Sequence, residues 1–232
     1  MGKLLEDPAL RNKSGVFRDR CDAGKRLAQF IQREITPKNA VICAIPSGGI
    51  PVGVEIASGL SFPFTVLVVR KLQIPWNTEA GFGSMTWDGT VYLNQALVDR
   101  LSLSDDDITR AVEKTADSIR DRTTLYSGYM KSLVRVTGKT VIITDDGLAS
   151  GYTMLAAVRS LRRLDPGQVI VAIPTGSVAA ATLLSAETDI VVCLNLVKGP
   201  AFAVAAAYQN WHDLSDLEVN THLFRIKETG IF

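Results

Sequence analysis

The 232-residue chain is poor in the residues that build metal and redox centres: it has three cysteines and two histidines. Cys21, Cys43 and Cys193 are far apart, odd in number and lack CxxC spacing, which argues against a disulfide framework or a zinc site and makes a reducing, cytoplasmic setting the expectation. Cys43 and Cys193 stand inside apolar runs and read as small core residues. His212 and His222 cannot form a metal site by themselves and read as solvated surface residues. Net charge is also lacking, at +1, with no basic run or acidic tail, so nothing draws the chain toward nucleic acid or an anionic membrane. No apolar run approaches the roughly 20 residues needed to span a bilayer, and MGKLLEDPALRNKSG has no signal-peptide stretch. No internal repeat or low-complexity linker interrupts the sequence.

What is present suits a globular protein with a substantial core: 47% apolar and 21% charged residues. Five short apolar runs, 41–45, 64–69, 140–144, 169–173 and 189–194, are rich in β-branched residues and nearly free of polar ones. Strands buried on both faces of a parallel sheet have this composition. Helical spacing lies between them, over 21–35, from about 49, over about 105–131, over about 151–164 and over 178–185. Ser104 followed by Asp107 reads as an acidic capping box, and Asp105, Asp106 and Asp107 as acids at a helix start. The alternation predicts βαβ units, hence an α/β fold with a mainly parallel sheet of about five strands flanked by helices. Residues 72–90 hold several glycine and proline breakers and read as a long irregular loop. Residues 195–232 break the rhythm and are expected to form a cap.

The most informative stretch is VIITDDGLASGYT, 141–153, in which a buried strand ends in Asp145 and Asp146 and a small-residue turn leads into a helix. Ligands of open α/β sheets bind beyond the carboxyl ends of the strands. Amides at a small-residue helix start form a phosphate cradle, with Ser150 and Thr153 able to add hydroxyl donors. Two acids beside such a cradle make sense if they face another part of the same ligand, such as ribose hydroxyls or a magnesium ion. An ordinary strand-to-helix turn with acidic caps is the alternative from spacing alone.

These thirteen positions resemble the signature of the type I phosphoribosyltransferases. The resemblance implies that Asp145 and Asp146 contact ribose hydroxyls, and that Ala149, Ser150, Gly151, Tyr152 and Thr153 hold the 5-phosphate. AIPSGGIPVGVEIA, 44–57, is similar to the family's pyrophosphate loop, with the amides of Ser47, Gly48 and Gly49 as contacts. VVRKL, 68–72, places Arg70 and Lys71 where the family holds pyrophosphate with cations, and 72–90 falls where it carries a mobile catalytic loop. With FRDRCDAGKRLA and FAVAAAYQNWHDLSDLEV, the likeness extends over most of the chain and is to a less characterised branch of the family.

The resemblance implies one domain over 1–232, a core of about 20–195 and a C-terminal hood of about 196–232 that meets the acceptor, with Phe202, Tyr208 and Trp211 as candidates to stack on a base. The implied activity is transfer of phosphoribose from 5-phosphoribosyl-1-pyrophosphate to a nitrogenous acceptor, with release of pyrophosphate. Mg2+ is the implied cofactor, carried by the substrate with Asp145 and Asp146 as candidate ligands. A homodimer is compatible with the resemblance. Ser47 stands where the branch often has arginine, Gly147 where better-known members have a branched residue, and Ala149 where the 6-oxopurine enzymes have a third acid. The alternative is a non-catalytic regulator that binds 5-phosphoribosyl-1-pyrophosphate or a nucleotide as effector. A phosphate-ester hydrolase is a third reading, weakened by the lack of histidine near the loops.

Overall fold

A computed structural model describes residues 2–130, 133, 136–199 and 202–230, apart from the side chains of 78 and 79. A six-stranded, wholly parallel sheet runs in the order β1 (Lys3–Leu5), β9 (Ile190–Val197), β8 (Gln168–Ser177), β7 (Thr140–Thr144), β2 (Ala40–Ala44), β3 (Phe64–Val66). Four of the five expected strands match in place. The edge strand β1 adds a sixth, pairing Lys3 with Ile190 across nearly the whole chain.

Side-chain alternation divides the core into two layers. Ile42, Ala44, Ile142, Ile170 and Val192 pack under α1 (Arg20–Glu34), α2 (Gly49–Leu60) and α7 (Asp216–Glu228). Val41, Cys43, Val141, Ile143 and Val171 pack under α5 (Tyr152–Arg162) and α6 (Val178–Ser185). Burial on both faces is why these strands read as unbroken apolar runs. All three cysteines are free thiols; burial pushes Cys43 up to about 12 and Cys21 to about 11, so they are unreactive core or near-core groups. Among the described residues, no helix is long and apolar enough to cross a membrane.

Residues 64–69 do not form one strand. The parallel strand ends at Val66, and Val69 begins β4 (Val69–Ile74) of a second sheet, antiparallel, with β5 (Asn77–Thr86) and β6 (Val91–Leu93). The expected irregular loop at 72–90 is therefore corrected: most of it is a β-hairpin with a register shift near Gln73. Leu72, Ile74 and Phe82 form a third apolar cluster with Val98 of α3 (Gln95–Leu101) and Leu103, packed against Ile108 and Val112 of α4 (Asp105–Tyr126). Thr86 Oγ1 lies 2.9 Å from Ser160 Oγ of α5, which ties the hairpin to the main domain. Its turn is strongly exposed, with Trp76 at 65%. The capping box of Ser104 and Asp107 at the start of α4 is present.

The two chain ends meet, and the C-terminal segment splits. Residues 202–212 lie against 12–20: Gly15 and Phe17 donate backbone hydrogen bonds to Ala206 and Ala207, and Gln209 donates to Phe17. The helix α7 instead buries Val219, Leu223 and Ile226 in the core layer that also holds α2. It is anchored to α2 by the Arg225–Glu55 ion pair.

Candidate functional site

Topology creates the site. From β2 the chain steps through α2 to β3 on one side, whereas β7, α5, β8, α6 and β9 step to the other. The loops leaving β2 and β7 diverge, and such a switch point opens a crevice at the carboxyl ends of the strands. Residues 45–49 and 145–151 line it from adjacent strands that pair Ala44 with Thr144.

The start of α5 differs from most of the other helix starts in having no side-chain cap. Helices α1, α3, α4, α6 and α7 take side-chain caps from Asp19, Asn94, Ser104, Ser177 and Ser215, but α2 and α5 take none. At α2, Gly49 and Ile50 donate to the carbonyls of Ile45 and Ser47, and Pro51 has no amide hydrogen. At α5 the first-turn amides have no such substitute among the described residues, and they carry the positive end of the helix dipole. Gly151 caps α5 at φ +84°, a left-handed conformation that a β-branched residue adopts only at a cost, and a Cβ there would lie 3.2 Å from Ala180 Cβ. Gly151→Val is thus expected to shift the loop and weaken ribose 5-phosphate binding at least tenfold, about 1.4 kcal/mol. Calorimetry on the folded variant checks this, and unchanged affinity would remove the cradle.

The two acids at the end of β7 have different surroundings. Asp145 lines a cavity of about 840 Å3, together with Ile45, Pro46, Arg70, Lys71 and Thr153. The opposite wall is α4, contributing Asp107, Arg110, Lys114 and Ser118. Burial pushes the Asp145 carboxyl well up, and the neighbouring Asp146 charge adds to this. Its Oδ1 accepts from the Asp146 amide at 2.8 Å. Asp146 turns away from the cavity: its Oδ2 accepts from Arg20 Nε at 2.8 Å, and its backbone carbonyl accepts from the Tyr208 hydroxyl at 2.5 Å. Burial pushes Asp146 up as well, and the Arg20 guanidinium opposes that. The loop of Ser47, Gly48 and Gly49 runs beside both acids, where a Cβ on Gly48 would overlap Asp146 Oδ2. The Pro46–Ser47 peptide bond is cis.

The structure thus brings the acid pair, the Ser47–Gly49 loop, Arg70, Lys71 and the 149–153 turn to one crevice. Arg70 is half-buried and pushed down, first by burial and then by Arg122. Of the cap aromatics, Tyr208 is buried on Asp146, and Trp211 has its ring 3.9 Å from the Arg20 guanidinium. Gly147 is explained by the same cap, because a Cβ there would collide with the Val204 side chain. His212 pairs with Glu218 at 2.7 Å. Sequence reasoning missed Arg20 and the α4 wall. FRDR held Arg20 in plain view, but nothing local distinguished it from its charged neighbours.

For magnesium, the donor set is sparse. Among the described residues no group of three or more His, Cys, Asp or Glu side chains could hold a metal ion. Asp107, Asp145 and Asp213 line the cavity without grouping into such a cluster, and Asp145 alone of the sequence-predicted acids is among them. A single carboxylate fits Mg2+, which keeps several waters and is commonly held by one or two carboxylates plus substrate phosphates.

Comparison with known proteins agrees with the fold. The profile of the phosphoribosyl transferase domain matches residues 88–209. A Mycobacterium tuberculosis protein, in strains CDC 1551 and H37Rv, bears phosphoribosyl transferase as a provisional name; it is 34% identical over 212 residues, 90% of this chain and 47% of that protein. The chain therefore spans about half the length of the curated relatives it matches. The crystal structure of TT1426 from Thermus thermophilus is 29% identical, covers 90% of this chain and 98% of its own, and superposes with a TM-score of 0.69. With the acid pair, the uncapped helix start and the glycine loop gathered at the switch point of a parallel sheet, the chain belongs to the phosphoribosyl transferase family.

Proposed function

We propose that this protein transfers the phosphoribosyl group of 5-phosphoribosyl-1-pyrophosphate to a nitrogenous acceptor, releasing pyrophosphate. The observation that carries this reading is that Thr153 of the α5 start, Asp145, Arg70 and Lys71 line one cavity. The α5 start suits the 5-phosphate, Asp145 the ribose, and Arg70 and Lys71 the pyrophosphate. Amides of the Ser47–Gly49 loop are the further pyrophosphate contacts.

The reaction breaks the bond between the anomeric carbon and the pyrophosphate oxygen, and the electron pair leaves with pyrophosphate. An acceptor nitrogen forms the new bond and releases its proton, while positive charge builds on the sugar ring. Asp145, which lines the cavity, stabilises that charge. Ala149, Ser150, Gly151, Tyr152 and Thr153 hold the phosphate end still, so the reacting carbon stays aligned. Arg70, Lys71 and the loop amides stabilise charge on the leaving group without reorganising. Asp145 would be the protein ligand of a Mg2+ carried in with the pyrophosphate, and the ion would neutralise part of that charge.

The test is release of pyrophosphate from 5-phosphoribosyl-1-pyrophosphate and Mg2+ with a panel of purine, pyrimidine and pyridine bases. Turnover with any of them supports the transferase. One observation favours a second reading, an effector-binding regulator: no aromatic ring lines the cavity among the described residues, and Tyr208 and Trp211 are already engaged. Saturable binding with no turnover across the panel would support that reading, and absence of binding would defeat both.

A further inference from the structure

The two adjacent acids differ in what holds them. Asp145 faces the cavity, whereas the Asp146 carboxylate lies between Gly48 and Arg20. Arg20 is 7% exposed and is itself held from three sides. Its Nε donates to Asp146 at 2.8 Å, its Nη1 donates to the His212 carbonyl at 3.0 Å, and Trp211 covers its face at 3.9 Å. Tyr208, against the ring of Phe17, adds its hydroxyl to the Asp146 carbonyl. A guanidinium suits this place because its planar fork can donate in two directions while a face stacks on an aromatic ring.

We infer that Arg20 is a positioning residue that commits Asp146 to a structural ion pair, so that Asp145 alone of the two acids meets the ribose. The inference rests on the phosphoribosyl reading of the cleft and refines it: the second acid of the pair acts through Arg20, and the two chain ends set the acid pair through this clamp. The 12–20 and 202–212 segments are thereby part of the site's support as well as its cover.

A double-mutant cycle tests it, with ribose 5-phosphate and with 5-phosphoribosyl-1-pyrophosphate plus Mg2+ as calorimetric probes. Arg20→Gln strands a buried carboxylate, and Asp146→Asn strands a buried guanidinium; each is expected to weaken binding about tenfold, the weakening that 1.4 kcal/mol produces. Combined, they should cost about tenfold rather than a hundredfold, because each removes the same interaction. Arg20→Gln combined with Asp145→Asn should instead multiply the single effects. A hundredfold loss for the Arg20→Gln/Asp146→Asn pair, or full affinity in Arg20→Gln, overturns the clamp. Should Arg20→Gln fail to fold, Arg20→Lys decides. It keeps the charge but lacks the fork, and should still lose affinity; full affinity would overturn the proposal. If the wild-type protein binds neither probe, the phosphoribosyl reading falls separately. Urea unfolding then judges the clamp: Arg20→Gln/Asp146→Asn should be more stable than Arg20→Gln alone, and equal or lower stability overturns it.

Discussion

Asp145→Asn is expected to lower turnover by on the order of 10²-fold to 10³-fold, the usual cost of losing one group that stabilises transition-state charge. The substitution keeps the shape of the side chain and the acceptor for the Asp146 amide, and it removes only the negative charge from the cavity floor. Ground-state binding should fall much less than turnover, since the ring becomes cationic only as pyrophosphate departs. Pyrophosphate release with the best acceptor from the base panel, measured against calorimetric affinity, separates the two effects. Equal losses in both would make Asp145 a simple binding group, and normal turnover would remove it from the mechanism. Stability should move the other way. A carboxyl raised by burial and a like charge binds its proton more tightly when folded, so ionising it as pH rises through its unfolded value toward its folded value costs stability. Asparagine removes that cost, and the variant should unfold at an equal or higher temperature than wild type at neutral pH.

Phe82→Ala is expected to cost about 3–5 kcal/mol, because truncating a fully buried phenylalanine removes its transfer energy and leaves a cavity. Phe82 is 0% exposed and sits in the β5 strand, against Leu72, Val98 and Leu103. Urea unfolding measures the loss, and a change below about 1 kcal/mol would show that the hairpin contributes little to the cooperative unit. The expectation bears on function as well, since β4 presents Arg70 and Lys71 to the cavity. Weakening the hairpin should therefore reduce affinity for 5-phosphoribosyl-1-pyrophosphate more than for ribose 5-phosphate, which lacks the pyrophosphate. A deletion of 76–88 would remove Phe82, Met85 and the Thr86–Ser160 contact, so it should destabilise the remaining domain. The turn at Pro75 and Trp76 is the part of the hairpin left free for any ligand-dependent closure.

The hairpin was illegible because its signal is weak locally. NTEAGFGSMT has two glycines and no valine or isoleucine, so strand propensity gave no warning. Pairing with Val69–Ile74 and burial of Phe82 overrode it, as packing commonly overrides β propensity. The reading of 64–69 as one strand failed for a related reason. A six-residue run with one threonine among five apolar residues is equally compatible with one sheet or with a crossing between two, and both halves are buried.

Local chemistry was enough for much of this protein. Period and composition marked β2, β7, β8 and β9, since burial on both faces leaves no polar position to blur them. The Ser104–Asp107 box and the Asp145–Thr153 turn were legible because each is made by residues a few positions apart. Contacts between distant segments left no such trace. β1 pairs with β9, α7 docks on α2, and Arg20 reaches Asp146 across 126 positions. Periodicity reports which face of an element is buried, but not which partner buries it. The division of the acid pair into a cavity-facing Asp145 and a clamped Asp146 arises only when the chain closes on itself and places one arginine beside one of two adjacent carboxylates.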